Sequence, residues 1–222
     1  MHTMIAPHAR MEARIEARVR TGPTGAWRLL CGAVIAPLMV LAMLFATPAS
    51  ALDSDGAKAH VRTTVDEVLD LVRGSGSGDS KANDFRAILE QRAAMPQIAR
   101  FAAGAVWRDM SDAQQRAYVD AFSHYLATIY ARRFQEYSGQ SIDLGTTRDL
   151  GRRGIEVEST VKGGGQPPIA VAWVVSDRPG RVVLADIVIE GVSLLITQRD
   201  EITALVSQKG GIDGLIEFLA GT

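Results

Sequence analysis

The segment that decides the fold is a pair of apolar runs flanking a turn, residues 168–190, PIAVAWVVSDRPGRVVLADIVIE. Both runs are rich in β-branched residues, and Asp177–Gly180 has the composition of a turn, so two paired strands are predicted. In the first run, alternate residues from Ile169 to Val175 fall on one face of the strand, and the residues between them are apolar as well. In the second run, alternate residues from Val183 to Ile189 are predicted to fall on one face. This pattern predicts a sheet that is covered on both faces, either by protein alone or by a lipid on one side.

Two further β-branched segments precede this pair, near residues 141–150 and 153–162. Three consecutive glycines, residues 163–165, separate them from the next two segments, 168–176 and 181–190, and indicate a loop between strands. The four segments predict an antiparallel meander. Because helical patterns lie before and after it, the predicted class is α+β, with helices packed on one antiparallel four-stranded sheet.

Helical spacing of apolar residues predicts several shorter helices around this sheet. The first follows N-cap candidates at Asp53 to Asp55 and ends at a glycine- and serine-rich linker, residues 74–78. The second covers residues 84–94 and breaks at Pro96, and the third extends from 97 toward 107. After the strands, a helix over 194–208 and a short amphipathic segment from Ile212 are predicted.

The strongest helix signal extends from Ser111 to Gly139. Ser111 and Gln114 match a capping box, and Gly139 is a typical C-terminal stop. Six of the eight large residues along one face are aromatic, although aromatic residues make up only 6% of the chain. This face is predicted to contact the core, and its stiff rings also suit the wall of an apolar pocket. The eight are Tyr118, Phe122, Tyr125, Leu126, Ile129, Tyr130, Phe134 and Tyr137.

Residues 1–51 have the pattern of an export signal. Five arginines between residues 10 and 28 precede an uncharged apolar run, residues 29–45, and small residues follow up to Ala51. This order predicts a secretory signal peptide cleaved after Ala51, which leaves a mature domain of residues 52–222. The alternative is a retained membrane anchor, although the run is shorter than the roughly 20 residues that span a bilayer.

Composition and charge exclude several classes of function. The net charge is −1, and loss of the five arginines and two glutamates of the signal makes it −4. There is consequently no electrostatic basis for binding nucleic acid or an anionic membrane surface. The single cysteine, Cys31, belongs to the signal segment, so the mature chain has no disulfide and no thiolate metal site. Neither a metal nor a cofactor is expected.

The sequence offers little for catalysis, and no catalytic residue is predicted. His60 and His124 fall off the apolar stripes of their helices and are expected to be solvated. Ser193 lacks the second glycine of a nucleophile elbow, so its hydroxyl is expected to cap the helix that begins at Leu194. Asp186 is an acid within an apolar strand, where it either faces solvent or holds a hydrogen-bond network.

Three blocks of the chain resemble the signature of the MlaC (toluene-tolerance) family of periplasmic phospholipid-transport proteins. The blocks are Ile187–Leu194 (IVIEGVSL), Tyr130–Gln140 and Gly210–Ile216 (GGIDGLI). Their order and spacing match those of the family, and the resemblance covers nearly all of residues 52–222.

The chain departs from the family pattern at two places. Family members usually carry a Trp and a Tyr ahead of Asp186, where this chain has Val182 and Ala185. After the Gly-Val-Ser-Leu block they usually read Asn-Tyr-Arg, where residues 197–199 are Thr-Gln-Arg. These departures leave the shape of the pocket and the identity of the lipid open. A hopanoid-associated branch is similar too, so a sterol-like cargo is an alternative.

The resemblance implies a soluble periplasmic carrier that maintains the lipid asymmetry of the outer membrane. Such a carrier would exchange glycerophospholipid with an inner-membrane ABC transporter that bears a lipid-binding ring. Its outer-membrane partner would be a lipoprotein–porin complex, and it would catalyse no reaction. Periodicity and the resemblance together predict that helices and sheet enclose an apolar lipid cavity lined by Phe122, Leu126, Ile129, Tyr130, Phe134, Val171, Trp173, Val175, Ile187 and Ile189, with Val192 and Leu194 near its entrance.

Two other classes of function remain open from the sequence. One is a small enzyme that acts on an apolar substrate, for which Asp186 is the candidate titratable group. The other is a structural envelope protein whose apolar stripes fill an ordinary core and which holds no ligand.

Overall fold

The computed structural model describes residues 52–134 and 139–222. The predicted signal peptide, residues 1–51, and Tyr137 of the predicted aromatic face lie outside them, and cleavage after Ala51 stays a prediction. The described helices before the sheet are α1 (Ser54–Arg73), α2 (Gly78–Arg92), α3 (Met95–Ala103) and α4 (Asp112–Arg133). A 3-10 turn, Gly104–Arg108, follows α3 directly. In the described part of the chain, no helix combines the length and the apolar character needed to cross a bilayer.

Side-chain caps fix where these helices begin. Asp53 Oδ1 accepts a hydrogen bond from Gly56 N at 2.7 Å, and both halves of the predicted capping box at the start of α4 are present. Ser77 accepts a hydrogen bond from Ser80 N, so α2 begins six residues before the predicted start at residue 84. The connector between α1 and α2 is therefore shorter than the predicted linker.

The sheet follows the chain in order and is antiparallel throughout. Its strands are β1 (Ser141–Asp149), β2 (Ile155–Gly163), β3 (Gln166–Ser176), β4 (Val183–Ile189) and β5 (Val192–Ser193). The predicted α+β class and meander are confirmed, and the two-residue strand β5 adds a fifth member. Glu190 and Gly191 both have positive φ, 49° and 81°, which suits the two-residue hairpin turn between β4 and β5.

A bulge in β4 breaks the alternation that the sequence predicts. Trp173 lies opposite Ile187, but Val175 lies opposite Leu184 because the register shifts between Val174 and Val175. Leu184 therefore shares a face with Ile187, and the predicted placement of Val183 on that face is wrong. One extra residue inverts side-chain direction because the period of a strand is two.

The chain ends in two helices, α5 (Leu194–Gln208) and α6 (Ile212–Ala220), as the sequence predicts. Helices α3 and α6 pack against α4, while α1 lies against β1, β2 and β3. The largest fully buried side chains include Tyr118, Phe122, Ile202, Leu215 and Leu219. The filled core therefore lies among the helices, mainly around the first half of α4.

Candidate functional site

An apolar cavity of about 110 Å³ lies where β4, α5 and the second half of α4 meet. We call it the inner cavity. Its wall consists of apolar side chains with two polar exceptions, Asp186 and Gln198, and its lining is Leu89, Ala93, Met95, Ile98, Leu126, Tyr130, Leu184, Ala185, Asp186, Ile187, Leu194, Leu195 and Gln198.

A second cavity of about 170 Å³, the middle cavity, lies between α1, α2 and the sheet. Its one charged lining residue among those described is Arg92, whose Nε donates to Glu67 Oε2 at 2.8 Å, so the charge is paired. The lining is Thr64, Val65, Val68, Leu69, Phe85, Ile88, Leu89, Arg92, Ala93, Ile142, Trp173, Leu184 and Ile187.

The third space is more open, with a volume of about 340 Å³, and we call it the mouth groove. Arg133 supplies the charged side chain among its described lining residues. The lining is Val68, Leu69, Val72, Arg133, Phe134, Gln140, Ile142, Val161, Gly163, Gln166, Pro167 and Ile169.

The three spaces lie in a row and share wall residues. The inner and middle cavities share Leu89, Leu184 and Ile187, among others. The middle cavity and the mouth groove share Leu69 and Ile142, among others. Shared walls mean that a small movement of a few side chains would join them into a single elongated pocket, the shape that an acyl chain needs.

Beyond the mouth groove the same face of the sheet is exposed and apolar. Val171 lies opposite Ile189, and Ile189 lies opposite Val192, so these residues share the face of Ile169. Ile169, Ile189 and Val192 are 38%, 37% and 59% exposed. An exposed apolar patch continuous with a pocket marks a ligand or partner site more often than a scatter of single residues does.

Two buried hydrogen-bond networks shape the walls. Asp186 Oδ1 accepts from Ile187 N at 2.8 Å and from Leu195 N at 3.0 Å, and its Oδ2 accepts from Ser193 Oγ at 2.6 Å. Asp186 thus holds the network that the sequence left as one of two options. It joins β4 to the start of α5, where Ser193 caps the helix by accepting from Ile196 N.

The second network orients an aromatic wall residue. Trp173 Nε1 donates to Ser159 Oγ at 2.8 Å, and Ser159 Oγ donates to Val171 O at 2.9 Å. The indole is consequently fixed against the sheet, with its apolar surface in the wall of the middle cavity.

The structure places the predicted site residues in three groups. Six of them line the row: Leu126, Tyr130, Ile187 and Leu194 at the inner cavity, Trp173 and again Ile187 at the middle cavity, and Phe134 at the mouth groove. Phe122, Val171 and Val175 are buried in the core, and Ile129 packs against it. Ile189 and Val192 lie exposed beyond the mouth.

Sequence reasoning missed the helices that form the opposite wall. α1 contributes Val65, Val68 and Leu69, and α2 contributes Phe85, Ile88 and Leu89. Both sets have the i, i+3, i+4 spacing that could have identified them. Leu184 was not predicted to line the pocket, because the bulge in β4 changes the direction of its side chain and the alternation of residues in the sequence does not indicate a bulge.

A larger groove of about 620 Å³ on the outer side of α2, α3 and α4 has a different character. Its lining includes Glu90, Asp112, Arg116, Asp120 and Arg181. Charged groups along the wall would lose hydration against a hydrocarbon chain, so this groove is unsuited to one.

The described residues contain no group of three or more His, Cys, Asp or Glu side chains placed to hold a metal ion. His60 is half-buried, contrary to the expectation of a solvated side chain, and its Nε2 donates to Arg92 O at 3.0 Å. His124 is half-buried as well. Burial lowers the pKa of His60, which keeps its ring neutral near pH 7.

The model of the MlaC protein family matches residues 60–221 of this sequence. The chain belongs to the MlaC family. A solved structure, described as the phospholipid-binding protein from Ralstonia solanacearum in complex with a phospholipid, is similar in fold with a TM-score of 0.62. The two chains are 28% identical, and the match covers 73% of this chain and 94% of that one. In this MlaC family member, the middle cavity lies between α1, α2 and the sheet, and the inner cavity lies between β4, α4 and α5.

Proposed function

We propose that this protein is a periplasmic phospholipid carrier and that the row of three cavities holds the acyl chains. The observation that carries the proposal is the row of three neighbouring, largely apolar spaces that share wall residues, in a member of the MlaC family. The similarity to a protein described as phospholipid-binding supports it. The carrier performs no chemistry, because cargo exchange needs only binding and release.

The energetics of extraction explain why such a carrier needs a dry pocket. A two-tailed phospholipid buries on the order of 30 methylenes at ~0.8 kcal/mol each, so transfer into water costs upwards of ~20 kcal/mol. A pocket with a comparably apolar lining brings exchange with a bilayer close to balance. Direction then comes from partners that favour loading or unloading, rather than from the carrier alone.

Loading two acyl chains requires the row to widen. The inner and middle cavities, about 110 and 170 Å³, are close to the roughly 150 Å³ that accommodates a single benzene ring. Among the described α-helices, α2 is the one whose displacement should cost the least free energy, because none of its residues is fully buried. Its attachments combine half-buried apolar side chains, such as Phe85 and Leu89, with polar contacts at the surface, as in the ion pair between Arg86 and Asp120.

The mouth groove gives the head group a place at the surface. Arg133 lies there, exposed, with its guanidinium 5.9 Å from the centre of the Tyr130 ring. A phosphate near Arg133 would stay hydrated, so we expect weak selectivity among head groups.

The proposed partners are those that the family resemblance implies. An inner-membrane ABC transporter with a lipid-binding ring and an outer-membrane lipoprotein–porin complex would exchange cargo with this protein in the periplasm. The predicted signal peptide supports export, and the apolar face at Ile189 and Val192 is a surface from which lipid could pass to a partner.

The first test is native mass spectrometry of the protein purified from the periplasm without detergent. One co-purifying phospholipid per chain, with a spread of tail lengths, is the expected result, since apolar pockets discriminate single methylenes by only ~1–3 kcal/mol. A hopanoid mass would change the cargo while keeping the pocket. A folded, monodisperse protein without lipid would favour the structural alternative.

A matched pair of variants tests the pocket itself. Ile187→Glu places a charge between the inner and middle cavities, and the co-purifying lipid should be lost because an unpaired carboxylate is costly there. Val182→Glu adds the same charge at a residue that is 36% exposed and lines none of the three spaces, and lipid should be retained. Leu69→Glu repeats the test at the mouth end. Full lipid content in both folded cavity variants would refute the assignment.

A further inference from the structure

Gln198 is a buried polar residue in the wall of the inner cavity. It lies in the second turn of α5, is 6% exposed, and its Oε1 has no hydrogen-bond partner among the described residues. A buried acceptor without a partner is costly to a fold, so a native structure that keeps one calls for an explanation.

The orientation of the amide follows from its neighbours. Gln198 Nε2 donates to Glu201 Oε2 at 3.3 Å, and the other oxygen of Glu201 accepts from the hydroxyl of Tyr125. An ionised carboxylate can only accept hydrogen bonds, so the amide nitrogen must face Glu201. The amide oxygen is therefore left on the side of the apolar lining.

The second polar residue of this wall is already satisfied. Asp186 accepts three hydrogen bonds, from Ile187 N, Leu195 N and Ser193 Oγ. The rest of the described lining is aliphatic and aromatic, and Tyr130 adds one hydroxyl group to it. Gln198 Oε1 lies within this wall without surface exposure, and the widening that the proposed cargo requires would bring a ligand group to it.

We propose that the inner cavity receives an apolar part of the cargo that carries a hydroxyl group, which donates its hydrogen bond to Gln198 Oε1. A hydroxyl supplies the missing donor at low desolvation cost, whereas an ammonium group would lose its hydration against the aliphatic wall. The inference rests on the proposed carrier function and narrows its cargo. Two sources carry this chemistry: a hydroxylated acyl chain of a phospholipid and a polycyclic lipid alcohol.

The test is a comparison of matched ligands against the intact exported protein. One pair is phosphatidylglycerol with a plain acyl chain and the same lipid with one hydroxyl on that chain, in a series of hydroxyl positions. The other pair is a polycyclic triterpene alcohol and its parent hydrocarbon. Displacement of a fluorescent lipid gives the affinity of each. We expect one pair to show about a tenfold preference for the hydroxylated member, the change produced by one net hydrogen bond.

Variants assign that preference to a residue. Gln198→Leu removes the acceptor and keeps similar volume, so the affinity ratio within the preferred pair should fall from about ten to about one. Thr197→Val is the matched control, because it removes a polar group from the neighbouring position of α5, where Thr197 is exposed and lines none of the three spaces. Its ratio should equal that of the wild type. Gln198→Met serves the same purpose if the leucine variant does not fold.

The outcomes separate this inference from the function on which it rests. Equal affinities within both pairs for the wild type would overturn the hydroxyl proposal while leaving the carrier intact. Failure to bind any of the lipids would instead contradict the carrier. An unchanged ratio in Gln198→Leu, together with a loss of unfolding free energy, would assign Gln198 a structural role and also overturn the proposal.

Discussion

The two halves of α4 carry the same aromatic spacing but meet different surroundings. In the first half, Tyr118 and Phe122 are fully buried and stack with their ring centres 5.7 Å apart. In the second half, Tyr130 and Phe134 are half-buried and lie in cavity walls. One helix therefore serves as the centre of a filled core and as the side of a pocket.

The difference comes from what faces each half. α6 packs along α4 at the core, with Leu215 and Leu219 fully buried, and α3 closes the same region with small alanines. α6 also reaches the second half, where the ring centre of Phe218 lies 6.3 Å from that of Tyr125. The cavity side of this half is covered by α2, which contributes no fully buried residue, and just after the end of α4 the contact is an edge-on pair between Phe85 and Phe134, 5.0 Å apart. Close packing resists change, whereas the loosely covered half can open for cargo.

The largest expected effect is a sharp contrast between two phenylalanines of α4. Phe122→Ala should lower the free energy of unfolding by about 3–5 kcal/mol, because it opens a cavity in a closely packed core. Phe134→Ala should cost about 1 kcal/mol, the value of one aromatic pair, since its ring is half-buried. Urea unfolding followed by circular dichroism measures both.

The amount of bound lipid should be affected more by Phe134→Ala than by Phe122→Ala, which is the reverse of the order expected for stability. Phe134→Ala changes the mouth groove, so the lipid that co-purifies should decrease in amount or exchange faster. Equal losses of stability in the two variants would contradict the division of α4 into a core half and a pocket half. So would normal lipid content in Phe134→Ala beside lost lipid in a folded Phe122→Ala protein.

A smaller contrast separates two serine caps of the same chemistry. Ser111→Ala removes a cap at the exposed start of α4, at an expected cost of about 1 kcal/mol. Ser193→Ala removes the cap of α5 and also the hydroxyl that donates to Asp186 in the wall of the inner cavity, so about 2 kcal/mol is expected. Thermal and urea unfolding of the two variants, measured side by side, give the comparison. Equal costs would mean that the bond to Asp186 contributes nothing to the joint between β4 and α5.

Much of this fold could be predicted from local pattern. The first residues of α4 and α5 follow from caps that the sequence displays, Ser111 with Gln114 and Ser193, whereas α4 ends at Arg133, before the predicted stop at Gly139. The meander follows from four β-branched segments separated by glycine and proline turns. These features depend on residues that are close together in the sequence, so local patterns predict them.

The pocket could be predicted only in part because it depends on packing between distant elements. The aromatic stripe of α4 has one period along its whole length, so nothing in it separates Phe122, which is buried, from Phe134, which lines the mouth. The bulge in β4 turned Leu184 toward the helices and broke the predicted alternation. The sequence predicts α2 as a helix but does not assign it to the pocket, because its apolar side, Phe85, Ile88 and Leu89, is narrow.

The smallest effect concerns pH and the joint between α1 and α2. His60, in α1, donates from Nε2 to Arg92 O at the end of α2, and it faces Arg92, Arg181 and Glu67. Burial lowers its pKa below the ordinary value of 6.5, so the unfolded chain binds more protons than the folded one at mildly acidic pH. The contribution of His60 to stability is therefore present above about pH 6.5 and is lost as the pH falls through the lower, folded-state pKa.

His60→Gln tests this linkage, because glutamine keeps an N–H donor and cannot be protonated. The wild-type protein should lose unfolding free energy as the pH falls from about 7 toward 5, and the variant should show a flatter dependence over the same range. The window lies above the range where Glu67 titrates, since Arg92 lowers the pKa of that carboxylate from its ordinary 4.5. Parallel pH profiles of the wild type and the variant would mean that the charge of His60 does not affect the stability of the fold. The pH dependence of the wild-type protein would then come from other titratable groups.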